Sequence, residues 1–510
     1  MMLFILCKIA GAILIFAVWR FIYHIGKERD YASLIILLIA ACISILHYPN
    51  VYLVEMDNVF VYYMTKSYYP YYWHSIYIQL IYGACLMLFR HAIMVIFVQL
   101  SLFLSALLYL FRKLREHGHK KLAYAILLFA FIPENLYYCD VPYRNNYYGI
   151  LFFWFLLTVC FTIVLDKKQL SKGQIVLFLL FGALLTVIRG EAILNVPLIL
   201  ILCYYLSAQK DAGKKKRIAE TLKLSAIYVT CCILLLFPQK AGEYKYFGKD
   251  YQIINHTNIV QSILLDPNAN LSYAGANEDI LAISDALPMD YLLNMGMYGF
   301  YVANYENSGR ITQSLLPIEK QSAFLSAANR LERNNIPVVF STRLSWFIRS
   351  NGGPVYSRNK SNLIKPLGKY KESCDIYDIE LDYGKTNISE SFGTDILTNS
   401  ALIAKISKAL MDNQYLVLCG NLGIVWILRI LSFIVLIVLE LQLLSKHRMT
   451  QDYLFHAVSL IILAQWAAIF AAAPEMRFSY YYTAFYLSVF WDIILSAHLI
   501  SLSHKPITDS

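Results

Sequence analysis

LFILCKIAGAILIFAVWRFIY (3–23) and YASLIILLIAACISILHY (31–48) stand at the start of the chain with only HIGKERD between them. How these runs are read decides the fold. A secretory leader carries one apolar run and a small-residue cleavage site. The first run lacks such a site and meets a second run at once, so both are expected to be retained spans. Crossing an apolar layer of about 30 Å by helix takes roughly 20 residues. Runs of that kind recur at 92–111, 121–133, 148–165, 174–188, 192–206, 224–238, 421–444, 453–472 and 480–502. The expected fold class is an all-α polytopic membrane protein with about eleven transmembrane helices. Composition agrees: the 510 residues are 58% hydrophobic and 15% charged, with a mean hydropathy of +0.51. A soluble chain of that length has too little polar surface to cover so apolar a composition.

The formal net charge of +10 raises the question of nucleic acid. Its distribution answers it. HIGKERD, RKLREHGHKK, DKKQLSKG, SAQKDAGKKKRIAETLK, SKHRMTQD and the tail SHKPITDS hold nineteen Lys and Arg. The short loops of the other set hold five: Lys66, Arg90, Arg144, Arg189 and Arg477. By the positive-inside rule the first set is cytosolic and the second lies outside. The charge is thus a topology signal, KKKR (214–217) included, and no nucleic-acid partner is expected. The partner expected first is the lipid bilayer, in a bacterial cytoplasmic membrane.

Three regions follow. Residues 1–238 form a transmembrane bundle that includes a first external loop (49–91). Residues 239–420 form an extracytoplasmic insertion, mainly helical or mixed α/β, polar and without an 18-residue apolar run. Residues 421–510 supply the last transmembrane helices. Within the insertion, LPIEKQSAFLSAANRLERN (316–334) has the period of an amphipathic helix. IPVVFSTRL (336–344) reads as a short strand or the start of another helix. STRLSWFIRS mixes Trp and Phe with Arg, as a segment on a membrane surface would. YYMTKSYYPYYWHSIY (62–77) suits an interfacial aromatic belt. Most cysteines fall in apolar runs as small core residues; Cys139, Cys374 and Cys419 lie in or near loops, with no pairing implied. The sequons NHT (255–257) and NIS (387–389) occur no more often than chance allows.

Acids and arginines collect at the external ends of the spans. YLVEMDNVFVYYM (52–64) brings Glu55 and Asp57; PENLYYCDVPYRNN (133–146) brings Glu134, Asp140 and Arg144. VIRGEAIL (187–194) holds Arg189 and Glu191 in a tight turn, and APEMRFSYYY (473–482) holds Glu475 and Arg477. Each taken singly has a plain reading, as a solvated pair, a snorkelling anchor or a loop cap. Ionisable groups near the hydrocarbon boundary are costly unless paired or solvated, and four segments delivering them to one face mark a cavity. A carboxylate takes a proton from a hydroxyl nucleophile. An arginine fork matches a phosphate and steadies the charge that grows on it as a leaving group. Carboxylates beside phosphate also suit Mg²⁺ or Mn²⁺. Arg429 and Asp492 fall inside predicted spans, with each other or a lipid head group as partner. The lone His74 and His91 read as interfacial.

The order of EMDN, YCDVPYRNNYYG, RGE and PEMRFSYYY resembles the layout of GT-C glycosyltransferases, in particular the protein mannosyltransferase and lipid A aminoarabinose transferase branches. The resemblance implies a multispan enzyme that takes a sugar from a polyprenyl-phosphate donor to an acceptor hydroxyl on a glycan, lipid or protein, in cell-envelope assembly. It assigns the catalytic base to Asp57, with Glu55 beside it, the second-loop acid to Asp140 and the late arginine to Arg477. Arg144, Arg189 and Arg477 become candidates for the donor phosphate, and Glu134, Asp140, Glu191 and Glu475 for sugar hydroxyls, a metal or arginine pairing. A divalent cation, if used, would fall to Asp57 and Asp140; no other cofactor is implied. The chain departs from the pattern in an extra span before the acidic loop, in Asn58 where a second acid would stand, and in having no proline close after PEMRFSYYY. An O-antigen polymerase or ligase is a second enzyme reading, against which EMDN counts. A lipid-sugar flippase or transporter is a third, which would place its charges at mid-membrane.

Overall fold

A computed structural model describes residues 2–47, 56–130, 135, 139, 141–208, 213–287, 317–351, 405, 422–446, 449–472 and 478–503. They form helices and turns, and no strand occurs among them. In chain order the α-helices are α1 (Met2–Glu28), α2 (Tyr31–His47), α3 (Met56–Lys66), α4 (Ile76–Leu88), α5 (Ile93–Glu116) and α6 (Lys120–Ala130). Then come α7 (Arg144–Leu157), which continues as a π-helix over Thr158–Leu165, α8 (Lys172–Val187), α9 (Asn195–Ala208) and α10 (Lys214–Phe247). Next are α11 (Asp250–Leu265), α12 (Ala276–Ala286), α13 (Ile318–Arg333), α14 (Ile336–Ser350), α15 (Leu422–Lys446), α16 (Met449–Ala472) and α17 (Phe478–Ser503). IPVVFSTRL is therefore helical, part of α14.

Among the described residues eight helices are long and apolar enough to cross a membrane, which makes the chain an integral membrane protein of several spans. The predicted runs at 31–48 and 174–188 become helices of 17 and 16 residues. At 1.5 Å per residue these reach only about 25 Å. Helix α6 is shorter still, and residues 131–133 of its predicted run lie outside the described residues.

The chain divides into two compact units. One comprises Met1–Phe237, Ile396–Trp466 and Tyr481–Ser510; the other comprises Pro238–Asp395 and Ala467–Tyr480. The first division falls within α10, at a proline that cannot donate to the turn before it.

In the first unit, α17 is central. Of its apolar window 72% is buried, against 11% for α1, whose Ile13, Phe16 and Trp19 face outward. Within the predicted external loop (49–91) the described residues are largely helical, and α4 packs on α1 across glycines. A Cβ at Gly83 would stand 2.5 Å from Cys7 Sγ, and one at Gly11 would stand 2.6 Å from Met87. The expected aromatic belt is accordingly buried at Tyr62, Tyr63, Tyr71 and Tyr77. The lysine-rich end of the bundle is tied by ion pairs. Arg112 grips Asp30 through two hydrogen bonds of 2.5 and 2.9 Å, and Lys113 donates to Asp166 at 2.8 Å. Asp30 also accepts from the Ser33 backbone at the start of α2. The Arg112 hydrogen bond holds its carboxyl well below the usual carboxylate range, against a smaller opposing push from burial. Ser171 and Gln174 close a capping box on α8.

In the second unit, α13 buries Phe324, Leu325, Ala328 and Leu331 against α11 and α12. Arg330 donates to Asp279 at 2.5 and 2.8 Å, and Tyr273 donates to the same carboxylate at 2.7 Å. Gly248, at φ +59°, leaves room for Gln321, whose Oε1 accepts from Lys249 N at 2.6 Å. His256 meets Glu332 at 2.6 Å.

Candidate functional site

At the lysine-poor end of the first unit, α8 stops at Ile188 and the chain turns through Arg189 into a 3-10 turn, Gly190–Leu194. The turn is tight enough to set Arg189 and Glu191 against each other. Their Nε–Oε2 separation is 2.9 Å, and the hydrogen bond proper runs from a terminal guanidinium nitrogen to Oε1 at 3.3 Å. The Arg189 side chain is 3% exposed and that of Glu191 31%. Arg189 Nε, though close to the carboxylate, is not aligned to it and has no hydrogen-bond partner among the described residues. Such a buried, incompletely satisfied guanidinium is costly unless an acceptor completes it.

Arg144 stands in the first turn of α7, and its charge acts on the Glu191 carboxylate. Arg144, Arg189 and Glu191, from two segments 45 residues apart, are thus brought together. The N-terminal end of α7 adds a helix terminus of positive sign at the same place.

A polar frame holds these segments. Tyr148, fully buried on α7, accepts from Asn195 Nδ2 at 3.0 Å and from Gln465 Nε2 at 2.9 Å, joining α7, α9 and α16. The loop before α7 is clamped from several helices. Gln99 of α5 donates to the carbonyls of Cys139 (2.7 Å) and Val141 (2.8 Å). Tyr82 of α4 donates to the Pro142 carbonyl. Tyr482 and Thr483 of α17 donate to Asn135 Oδ1 (3.1 Å) and the Asn145 carbonyl (2.8 Å). Described residues of three of the acid-bearing stretches, 133–146, 187–194 and 473–482, or of helices directly continuing them, therefore lie in one part of the bundle.

Asp57 lies in the first turn of α3, but its side chain lies outside the described residues. Glu55, Glu134, Asp140, Glu475 and Arg477 also lie outside them. Among the described residues no group of three His, Cys, Asp or Glu side chains has the arrangement of a metal site. The eight described cysteines, Cys139 among them, are free thiols, while Cys374 and Cys419 lie outside the described residues.

Sequence reasoning passed over Tyr148, Asn195, Gln99 and Gln465. The two glutamines carried a visible signal, as lone amides inside apolar runs; Tyr148 was one tyrosine among 40. It also passed over ionisable pairs within the last spans. His456 of α16 contacts Glu440 of α15, both buried. His498 of α17 bonds Asp452 at 2.9 Å, with the Phe455 ring stacked on its imidazole at 3.9 Å. Arg429 and Asp492 do not pair with each other. His74, expected at the interface, is 3% exposed beside the rings of Tyr71 and Tyr143. No protein-family model matches the chain, and neither a curated protein nor a solved structure does.

Proposed function

We propose that the chain is a membrane glycosyltransferase of GT-C type. In this reading it passes a sugar from a polyprenyl-phosphate donor to an acceptor hydroxyl on the extracytoplasmic side, in cell-envelope glycan or glycolipid assembly. The observation that supports it is the convergence of Arg144, Arg189 and Glu191, with a buried Arg189 guanidinium ion-paired to Glu191 and one N–H not aligned for a hydrogen bond. Two arginines beside a helix N-terminus suit a phosphate that gains charge as it leaves. Glu191, turned partly to the open side, both positions Arg189 and can accept from a sugar hydroxyl.

The chemistry assigned to this chain is inverting displacement. Asp57 accepts the proton of the acceptor hydroxyl, the acceptor's oxygen attacks the anomeric carbon, and the bond from that carbon to the phosphate oxygen breaks. Glu55 steadies Asp57. Arg477 joins the phosphate site, and Glu134, Asp140 and Glu475 bind sugar hydroxyls. A divalent cation, if used, would be held by Asp57 and Asp140, whose side chains lie outside the described residues. Measuring sugar transfer in membranes from cells carrying Asp57→Asn tests the assignment. Transfer should fall by about 10²–10⁴-fold, the usual worth of a general base. Transfer at an undiminished rate would remove the assignment.

The buried Glu440–His456 and Asp452–His498 pairs favour one rival, a lipid-sugar transporter, since ionisable groups inside spans commonly serve transport paths. Such a protein should move its substrate across vesicle membranes and tolerate Asp57→Asn.

A further inference from the structure

Between α6, α15 and α17, away from the arginine cluster, lies a cavity of about 270 Å³. Its walls are almost wholly apolar: Leu122 and Ala125 from α6, Leu431 from α15, Phe485 and Val489 from α17. Leu431 is 47% exposed on the outer surface of the bundle, so the cavity borders the hydrocarbon and can be entered from the side.

One wall residue does not fit that description. Asp492 lines the cavity and is only 9% exposed, and its Oδ1 has no hydrogen-bond partner among the described residues. Among the described residues no arginine forms an ion pair with it. Two hydroxyls share the lining, Ser496 one turn after Asp492 on α17 and Ser432 on α15. An orphaned carboxyl in an apolar cavity is costly, and an intramembrane acid without a partner marks a binding site.

The size of the cavity selects the ligand. A water occupies about 30 Å³, so a bare cation would leave most of the space empty. The volume approaches the roughly 300 Å³ at which pockets for drug-sized ligands begin. The chemistry selects as well, because a carboxyl flanked by hydroxyls offers acceptors to an ammonium group, whose positive charge would compensate a carboxylate that a phosphate would only oppose. We propose that this cavity is a binding site for a lipophilic amine, its ammonium on Asp492 and its aliphatic or aromatic body against Phe485 and Val489. The site is independent of the glycosyltransferase reading.

The test uses the full chain in nanodiscs and radiolabelled 4-phenylbutylamine, with 4-phenylbutanol as an uncharged competitor of the same shape. The amine should bind saturably at one site per chain and at least tenfold more tightly than the alcohol. Asp492→Asn should remove that preference, and Ala125→Trp, which fills the cavity from α6, should remove binding of both. Equal binding of amine and alcohol by the unaltered protein would overturn the proposal, as would undiminished amine binding by Asp492→Asn. If Asp492→Asn fails to yield monodisperse protein, the amine-to-alcohol ratio of the unaltered protein and the effect of Ala125→Trp decide the question.

Discussion

Arg189 carries the heaviest demand placed on any single described side chain. It is buried, it shares one hydrogen bond with Glu191, and its Nε–H, though close to that carboxylate, is not aligned to it. If that donor serves a leaving phosphate, Arg189→Lys keeps the charge and loses the fork. Sugar transfer should then drop by about 10²–10³-fold, as when one preorganised donor is removed from a developing anion. A transfer assay with an unchanged amount of membrane-inserted protein checks this, and unchanged transfer would make Arg189 purely structural.

Asp30 shows a different use of arginine. Its folded carboxyl is depressed by Arg112, so its stabilising contribution is fully present above the ordinary carboxylate value near 4. That contribution is lost only as pH falls through the lower folded value. Arg112 is 43% exposed, which limits the pair to about 1 kcal/mol or less. Asp30→Asn should therefore lower the melting temperature slightly and equally at pH 8 and pH 5. A deficit that shrinks between those values would refute the assignment.

Among the elements, the contact of α1 with α4 depends on absent side chains. Gly83 sits where a Cβ would approach Cys7 Sγ to 2.5 Å and Cys7 Cβ to 2.9 Å. Gly83→Ala should destabilise the protein by about 1–3 kcal/mol, the usual range for an overfilled core. Cys7→Ala in the same chain should recover part of that loss by removing the sulfur and leaving the Cβ contact. Thermal unfolding in detergent reads both effects, and a stable Gly83→Ala variant would mean that α1 yields easily. This packing could not be read from the chain. Residues 49–91 look like an aromatic external loop, yet Tyr62, Tyr63, Tyr71, His74 and Tyr77 are buried because two helices fold back there. Aromatic side chains suit an interface and a protein interior equally well, and composition alone does not separate the two.

For the molecule as a whole, loop charge predicts which end faces the cytosol. Arg90 and Lys168 are both exposed and belong to opposite sets of loops. An impermeant maleimide should label Arg90→Cys on intact cells and Lys168→Cys only after permeabilisation. The reverse pattern would turn the protein over and remove the extracytoplasmic reading of the arginine cluster. The ion pairs Arg112–Asp30 and Lys113–Asp166 bind the lysine-rich loops to one another, so that end is a structured face as well as a topology signal.

The apolar runs by themselves determined that the chain crosses a membrane by helices, because spans of that length can hide their backbone polar groups only by internal hydrogen bonding. They also placed Arg189 and Glu191 in one tight turn, since residues two apart across a short connection have little room to separate. Three features needed the tertiary structure. The charge of Arg144 acts on Glu191, Tyr148 ties α7 to α9 and α16, and Asp492 faces an apolar cavity instead of Arg429. Each depends on how helices distant in the chain are rotated and packed against one another, and hydrophobic periodicity says which face is oily without saying which neighbour it meets.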